Sequence, residues 1–484
     1  MQQFQLDGLW WSPDQPENQW VGKLSFHQRD GIILSIIRPL ISVPSFSFGG
    51  GGGEAYELLH GRTTDGKAVS LLHCYETFSQ MNLNGAGSSR TRTLGANSLI
   101  LGFHAGAADP LVSSVTVSVH HLSDWWGRSG LDTDSTVERP NVVVRYTAPA
   151  PLLLHDDGAF RVSLRSGVTG SVGNGKATLQ EAVTFEIDAV APSPLTEFQR
   201  RIRACTDFLS VACLALCEIH ELELEQPESA EQPKQRGTFH AVPIYRSRES
   251  RGSAIVHMLF RAREFEGRLP DLFKAWWLRA DELHDVRALY FAGAYGGGFI
   301  EGKLLSLTQA VEAFHRRLRD GSYMDETAFQ RDILAPVLAA IPQGTDDRLR
   351  QSMTARLRYA NGFSQRQRFR VLFREYAAAL ETLVAKPTEY VDPIVDHRNE
   401  FTHFDPDDAT SPAEVPPERV LLYNFLLRML LEACFLETMG FTQGEIVALL
   451  RRSETYRQLS VRFRPWAIEA LPAAAAKQGS PSGV

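Results

Sequence analysis

Hydrophobic and polar positions follow two different patterns along the chain. Up to about residue 190, short runs of β-branched and aromatic residues alternate with Gly, Pro, Asn and Asp, as in W-V-G-K-L-S-F from residue 20 and S-S-V-T-V-S-V-H-H-L from residue 113. Such runs are typical of β-strands separated by turns. A sandwich or a barrel accounts for many short strands most simply. We therefore expect residues 1–190 to form a β-rich N-terminal domain.

The period of the apolar residues changes near residue 196. The stretch F-Q-R-R-I-R-A-C-T-D-F-L-S-V-A-C-L-A-L-C-E-I-H, residues 198–220, predicts one long helix with Cys213, Cys217 and His220 on one face. These side chains could ligate a metal ion, but no fourth ligand is evident, and Cys and His in an apolar stripe usually pack in a core. We therefore predict no metal site. A polar, Pro-bearing stretch from residue 225 predicts a mobile loop, so residues 191–281 form a mixed connecting region.

Helical periodicity dominates from about residue 255 onward, and the turns between the helices carry Gly or Pro. The expected helices lie at 269–292, 299–319, 325–340, 346–360, 364–385, 389–404, 416–440 and 442–457. The pattern indicates an α+β multidomain protein, in which the β-rich half is followed by an all-α bundle at 282–470. Residues 471–484 are expected to be a disordered tail.

The overall composition is that of a soluble globular protein. Hydrophobic residues make up 43% of the chain and charged residues 22%, and the net charge of −7 gives no chain-wide attraction to nucleic acid. The N-terminus lacks the basic and apolar segments of a signal peptide. The most apolar long stretch, from residue 420, carries Arg428, Glu432 and Glu437, so we expect a buried helix rather than a membrane span. A cytoplasmic location is the resulting expectation.

The stretch D-H-R-N-E-F-T-H, residues 396–403, carries the strongest candidate chemistry. Arg398 can hold a phosphate by two hydrogen bonds, His403 can exchange protons near neutral pH, and Asn399 can orient either group. This set suits metal-free RNA cleavage by the ribose 2′-OH. Arg398 and His403 would lie about 140° apart on an ideal helix, so one copy supplies half a site, which a symmetric dimer would complete.

The same spacing also fits the polar side of an ordinary helix with a histidine at its end. Arginine and histidine occur at similar separations in two other places, at Arg251 with His257 and at Arg279 with His284. Only the stretch at 396–403 has Asn directly after Arg and lies close to a predicted helix end, because Asp405 precedes Pro406. From the residues alone, both interpretations stay open.

Several segments resemble one protein family. R-N-E-F-T-H resembles the R-x4-6-H motif of HEPN-domain ribonucleases, and the surrounding chain resembles the ApeA-like HEPN proteins of bacterial anti-phage abortive infection. F-I-E-G-K-L-L-S-L-T-Q-A-V-E-A-F-H-R-R, residues 299–317, is similar to the first HEPN helix of that branch, and L-P-D-L-F-K-A-W-W, from 269, to the segment before it. D-G-L-W-W-S-P and W-V-G-K-L-S-F are similar to the opening of its N-terminal domain.

The resemblance implies a HEPN bundle at about 282–460, dimerisation through it, and a composite ribonuclease site. Arg398, Asn399 and His403 match the motif as catalytic residues. Glu312 matches a helix position of the family, where it is either a supporting residue or a structural hydrogen-bonding carboxylate. Val311 stands where the family often has Leu, an apolar change that does not affect the site. The N-terminal domain would sense infection or regulate the nuclease.

An arginine-rich segment supports RNA binding independently of the resemblance. Residues 346–375 contain eight arginines and three acidic residues, and basic side chains attract the phosphate backbone. The interleaved aromatic residues either stack on unpaired bases or belong to the core. The predicted RNA-binding residues are Arg356, Arg358, Arg366, Arg368 and Arg370.

These features together predict an anti-phage endoribonuclease, a toxin that acts through abortive infection. We expect no cofactor, an RNA substrate with tRNA among the candidates, a homodimer or higher homo-oligomer, and a phage-derived trigger. The alternative is a non-catalytic HEPN module that binds RNA, a nucleotide or a partner protein. A carbohydrate-binding β-sandwich fused to a helical scaffold would rest on the N-terminal strands alone.

Overall fold

A computed structural model describes residues 3–27, 30–39, 55–82, 89–134, 143–228, 234–241, 255–402 and 415–468. The chain divides into two compact units. The first takes in described residues within Met1–Ser210, Cys217–Arg246 and Arg261–Phe273, and the second those within Val211–Leu216, Ser247–Phe260 and Lys274–Val484. The predicted disordered tail at 471–484 lies outside the described residues.

The first unit is built mainly of strands. They are β1 Gln3–Trp11, β2 Trp20–His27, β3 Gly31–Pro39, β4 Ala55–Thr63, β5 Ala68–Asn82, β6 Ser89–Leu101, β7 Leu111–Val119, β8 Leu131–Asp134, β9 Val143–Tyr146, β10 Leu152–Asp156, β11 Phe160–Gly173, β12 Lys176–Pro194, β13 Ile219–Gln226 and β14 Gln235–Ala241. The first helices are α1 Leu122–Trp126 and α2 Leu195–Cys213, and a 3-10 turn spans Ala262–Phe265.

Strands β1 to β6 close into an antiparallel barrel. The pairings run β1–β2–β3–β6–β5–β4 and return to β1, where Gly8 to Trp11 pair with Thr63 to His60. Apolar side chains fill the interior, including Trp10, Leu24, Leu34, Leu71 and Leu99. Alternation of apolar and polar residues along each strand produces this inward face, so the prediction of a β-rich domain with a sandwich or barrel is confirmed.

Trp10 shows why the barrel needs glycine at particular places. Its indole is fully buried and donates a hydrogen bond to the carbonyl oxygen of Gly22 at 3.1 Å. A Cβ at Gly61 would lie 2.3 Å from the indole ring. The large ring therefore fits only because the facing strand has no side chain at that position.

The remaining long strands extend the sheet outward from β6 of the barrel, and we call them the outer row. Ala96 and the residues before it pair with β3, whereas Ser98 to Leu101 pair with β14. The row continues in the order β14–β13–β7–β12–β11–β10. Strand β6 thus belongs to the barrel and to the outer row at once.

The helix predicted at 198–220 ends earlier than expected. Helix α2 stops at Cys213, and Leu214 has a left-handed φ of 50°, which interrupts the helical path. His220 lies in strand β13, so the expectation that Cys213, Cys217 and His220 share a helix face is wrong. Strands β13 and β14 also occupy part of the predicted mobile loop, and residues 229–233 lie outside the described part.

The later helices run from residue 269 to the end of the described chain. They are α3 Leu269–Arg279, α4 His284–Tyr295, α5 Ile300–Leu318, α6 Glu326–Phe329, α7 Ala335–Ala339, α8 Asp347–Arg358, α9 Gln365–Glu375, α10 Ala377–Leu380, α11 Val391–Thr402, α12 Pro417–Thr438, α13 Gln443–Arg452 and α14 Glu454–Ile468. Short 3-10 turns lie at Ile255–His257 and Pro387–Tyr390, and a π-helical turn at Gln330–Leu334 joins α6 to α7. The helical fold of the C-terminal half is confirmed.

Three of the expected helices are interrupted. The helix expected at 364–385 is divided at Tyr376 into α9 and α10 and ends at Leu380. The helix expected at 269–292 is broken between Arg279 and His284. Ala280, Leu283 and Val286 are all buried across this break. Because the helical spacing of buried apolar residues continues through it, the sequence pattern does not show where α3 ends. The helix expected at 442–457 is divided at Ser453 into α13 and α14, and α14 continues to Ile468.

Helix α12 is the centre of the second unit and carries a buried ionic network. Glu432 is fully buried and accepts hydrogen bonds from Arg428 Nε at 2.8 Å and Tyr290 Oη at 2.7 Å. The hydroxyl of Tyr456 also donates to Glu432. These partners satisfy a carboxylate that would otherwise be very unfavourable in an apolar interior. No helix in the described residues is long and apolar enough to cross a membrane.

Candidate active site

Helix α11 carries the first two residues of the predicted site on different sides. Val391, Ile394 and Val395 face the core, and Arg398 follows on the same side of the helix, since positions i, i+3, i+4 and i+7 share a face. Asn399 lies instead on the side that carries Asp392 and Asp396. The helix ends at Thr402, and His403 lies outside the described residues.

A hydrogen bond connects the two described residues of the motif. Nη1 of Arg398 donates to Oδ1 of Asn399 at 3.1 Å, and both side chains are half-buried. The amide oxygen therefore directs the guanidinium of its neighbour without adding a charge. Asn399 begins the last turn of α11 and Arg398 directly precedes it, close to the helix end at which the dipole favours cations.

Two arginines of α9 hold the polar side of α11. Arg366 donates to Oδ1 of Asp392 at 2.7 Å, and Arg370 donates to the same carboxylate at 2.9 and 3.1 Å. Arg366 also donates to Oδ1 of Asp396 at 2.5 Å. Partial burial would raise the pKa of Asp392, but hydrogen bonds and positive charge from Arg366 and Arg370 outweigh it, so this pKa is lowered. We call these four residues the α9–α11 clamp.

The clamp was not predicted, although the sequence contained a signal for it. Arg366 and Arg370 are spaced i, i+4 on one helix, and Asp392 and Asp396 are spaced i, i+4 on another. Each pair must share a helix face, and opposite charges on two neighbouring helices can pair. What the sequence did not show is that α9 and α11 are neighbours.

Glu312 connects α5 to α9. Its carboxylate accepts hydrogen bonds from Arg316 at 2.8 and 3.0 Å and from the side-chain amide of Gln365 at 3.1 Å. Gln365 directly precedes Arg366 of the clamp. Glu312 therefore helps to fix the start of α9, which is a structural hydrogen-bonding role.

Arg368 is buried, with only 4% of its surface exposed. It donates to the carbonyl oxygen of Phe363 at 3.0 Å, and its Nη1 lies 3.0 Å from Nδ1 of the fully buried His315. Burial and the nearby charges of Arg368 and Arg319 lower the pKa of His315 to about 4. The imidazole is therefore neutral at pH 7 and accepts the hydrogen bond from Arg368 at Nδ1.

The remaining predicted RNA-binding residues lie on the open side of α8. Arg356 and Arg358 are exposed in its last turn, and Tyr359 beside them is 83% exposed. Phe369 and Phe373, by contrast, are fully buried in α9. The aromatic residues of this segment thus comprise buried rings, the half-buried Phe363, which packs against Tyr323, and the exposed ring of Tyr359, which is available for stacking.

Family models agree with this division of the chain. The model described as ApeA N-terminal domain 1 matches residues 5–276, which is more than half of the chain, and the model described as Apea-like HEPN matches residues 305–445. The chain belongs to the ApeA-like HEPN family of anti-phage proteins. A search of curated proteins and of solved structures finds no significant match.

The ApeA-like HEPN match contains every residue considered for the site. It begins within α5 and ends within α13, so it includes Glu312, the clamp, the arginines of α8 and the R-N-E-F-T-H stretch. The family resemblance noted from separate short segments is confirmed. The ApeA N-terminal match covers the barrel and the outer row of strands.

Proposed function

We propose that this ApeA-like protein is an endoribonuclease that cleaves RNA without a metal ion, with Arg398, Asn399 and His403 as its catalytic residues. The supporting observation is the hydrogen bond from Arg398 to Asn399 near the C-terminal end of α11, within the matched HEPN region. This bond orients a side chain that keeps its positive charge at any working pH, which supports a role for Arg398 in phosphate binding. His403 follows one residue after the end of the helix.

The reaction we propose is an internal transfer at phosphorus. The ribose 2′-OH loses its proton to one imidazole and attacks the adjacent phosphorus, while the 5′-oxygen leaves and takes a proton from a second imidazole. The products are a 2′,3′-cyclic phosphate and a 5′-hydroxyl. Arg398 stabilises the negative charge that builds up on the phosphoryl oxygens in the transition state.

Two copies of the chain would supply the two imidazoles. The motif has one histidine, and a single group cannot be both free of a proton and protonated at the same moment. A twofold axis beside the end of α11 would bring the second His403 to the other side of the phosphate. We therefore propose a homodimer or a higher assembly of dimers.

RNA would approach across α8. Arg356 and Arg358 offer exposed positive charge, and Tyr359 offers an exposed ring on which an unpaired base can stack. Arg366 and Arg370 are held by carboxylates and Arg368 is buried. We assign these three to positioning and folding rather than to direct RNA contact.

In the cell, cleavage of host or phage RNA, with tRNA among the candidates, would stop growth and phage production. The barrel and outer strands would act as the sensor for a phage-derived trigger. This arrangement accounts for the joining of an N-terminal β-rich unit to a HEPN region in one chain.

The decisive experiment compares purified wild type with Arg398→Ala and His403→Ala on total RNA in EDTA, with and without extract from phage-infected cells. Arg279→Ala and His284→Ala are matched controls, since this second arginine–histidine pair is exposed on α3 and α4. We expect wild type and controls to produce ends with 2′,3′-cyclic phosphate. We expect both site variants to lose about two to four orders of magnitude in rate.

Two results would contradict the proposal. Undiminished cleavage by either site variant would remove those residues from the mechanism. Binding of RNA by the wild type without any cleavage, even with infected-cell extract, would favour the non-catalytic HEPN module.

A further inference from the structure

Strands β11 and β12 extend beyond the sheet as a two-stranded arm. They pair continuously from Phe160 with Ala189 to Gly173 with Lys176. Strand β10 covers β11 only as far as Leu164, and β7 pairs with β12 only from Thr184 onward. Among the described residues, therefore, positions 167–173 and 176–182 pair only with each other, and we call residues 167–182 the arm.

Local geometry defines the two ends of the arm. Asn174 and Gly175 have φ values of 50° and 70°, which is the geometry of a tight hairpin turn that an Asn-Gly pair favours. At its base, the carboxylate of Glu181 accepts hydrogen bonds from the Ser129 hydroxyl at 2.6 Å and the Gly130 N–H at 3.0 Å. These bonds attach the base of the arm to Ser129 and Gly130.

One face of the arm is apolar and open to solvent. Every residue from 168 to 180 is exposed, with Val172 at 88% and Leu179 at 44%. Val172 pairs with Ala177, Gly170 with Leu179 and Val168 with Glu181. Val168, Val172, Ala177 and Leu179 therefore lie on the same side, with Glu181 at the base of that side. The opposite side carries Thr169, Ser171, Thr178 and Gln180. An amphipathic ribbon with its apolar face in water is a surface that a partner would cover.

The outer edge of β11 lacks the usual protection against pairing. Residues 167–173, G-V-T-G-S-V-G, contain no charged residue and no proline, which are the devices that normally block an exposed strand edge. A Cβ at Gly167 or Gly173 would meet nothing within 4 Å, and one at Gly170 would meet the flexible end of the Leu179 side chain, whose Cδ2 would lie 2.7 Å away. This edge can therefore accept another strand.

The sequence of this edge is nearly the same in both directions. About Gly170, Thr169 corresponds to Ser171 and Val168 to Val172. In an antiparallel pair of two identical strands centred on Gly170, Val168 of one copy lies opposite Val172 of the other, and Thr169 lies opposite Ser171. Both are favourable cross-strand pairs, and a twofold axis makes each contact occur twice.

We propose that the arm joins two copies of this chain by antiparallel pairing of β11 with β11, centred on Gly170. The two arms then form a four-stranded ribbon whose apolar residues lie on one side. The open edge of β11 is seven residues long, from residue 167 to residue 173, before the turn at 174. The same seven residues of the second copy would pair with it. This contact lies in the N-terminal unit and does not depend on the nuclease proposal.

Cysteine pairs test the register directly in the full-length protein. Its own cysteines are all buried, so exposed engineered ones will react first. We expect a mixture of Val168→Cys and Val172→Cys proteins to form a disulfide-linked dimer under mild oxidation. Each variant alone should not, because two copies of position 168 would lie about 13 Å apart, too far for a disulfide. Gly170→Cys alone should form the dimer.

Thr178→Cys is the matched control, on the same arm but on the other strand and face, and it should stay monomeric on a non-reducing gel. Two results would overturn the proposal. One is that Thr178→Cys forms as much disulfide-linked dimer as the mixture of Val168→Cys and Val172→Cys. The other is that neither this mixture nor Gly170→Cys forms a dimer. Cross-linking of the arm variants to a different protein in cell extract, with no dimer of this chain, would overturn it in favour of another partner. Unchanged thermal unfolding of each variant shows that folding is not the cause.

Discussion

Arg366 donates a hydrogen bond to Asp396 at 2.5 Å, and so ties α9 to α11 one turn before Asn399. We expect Arg366→Ala to lower the rate of RNA cleavage roughly ten- to a hundredfold, because a displacement of about 1 Å is enough for such a loss. The free energy of unfolding should fall by only about 1 kcal/mol, since partly exposed ion pairs contribute little. The measurements are kcat, KM and urea unfolding.

The separate effects of a substitution at Arg366 on kcat and on KM distinguish a positioning role from direct contact with RNA. A positioning role predicts a lower kcat, with partial recovery in Arg366→Lys, which keeps one ion pair but loses the forked geometry. An increase in KM at unchanged kcat would show instead that Arg366 contacts RNA.

Arg356 and Arg358 should set the salt dependence of RNA binding. In a His403→Ala background, which prevents cleavage, Arg356→Ala with Arg358→Ala should reduce the slope of log K against log salt by about 1.4 for single-stranded RNA. Arg279→Ala with Arg331→Ala is the control, because both arginines are exposed and already paired with neighbouring acids. Equal slopes in the two double variants would mean that α8 does not contact RNA.

His315 should make stability depend on pH. Its pKa is lowered to about 4 by burial and by Arg368 and Arg319, against an ordinary value of 6.5. Between these values the unfolded chain binds a proton that the folded protein excludes, so stability should fall as the pH is lowered from about 6.5 to 4. Urea midpoints at pH 7, 5.5 and 4.5 measure this. The dependence should be weaker in His315→Gln, and an identical pH profile would contradict this role.

Glu432 should be essential for the stability of the helical unit. Glu432→Ala leaves Arg428 buried without its carboxylate partner, and we expect a loss of about 3–5 kcal/mol in the free energy of unfolding. Tyr456→Phe removes a single hydrogen bond to a charged group and should cost about 1.5–3 kcal/mol. Tyr359→Phe is the control, because that ring is 83% exposed, and its effect should stay within about 0.5 kcal/mol. A loss in Glu432→Ala no larger than in this control would contradict the role of the network.

The regular elements followed from local patterns. Helix α5 spans Ile300–Leu318 where 299–319 was predicted, and α12 spans Pro417–Thr438 where 416–440 was predicted. In both, the apolar spacing and the flanking breakers lie within the element itself. The break after Arg279 was missed because buried residues continue across it at helical spacing.

The site was harder to predict, because its contacts join distant parts of the sequence. Arg368 looked like one of several surface arginines, yet its partner His315 is 53 residues away. Arg366 likewise pairs with acids 26 and 30 residues further on. No periodicity within one helix distinguishes an arginine that faces a neighbouring helix from one that faces solvent.

The shared strand β6 has a consequence for the order of folding during synthesis. All strands of the barrel lie before residue 102, so it can close as soon as that part of the chain has left the ribosome. The outer row cannot be completed until β14, residues Gln235–Ala241, has been made, because β14 pairs with the end of β6. A nascent chain would therefore carry a finished barrel in which Ser98 to Leu101 pair with β5 but lack their second neighbour, β14, while more than a hundred further residues are translated. Until then this short edge is exposed to mispairing with other nascent chains.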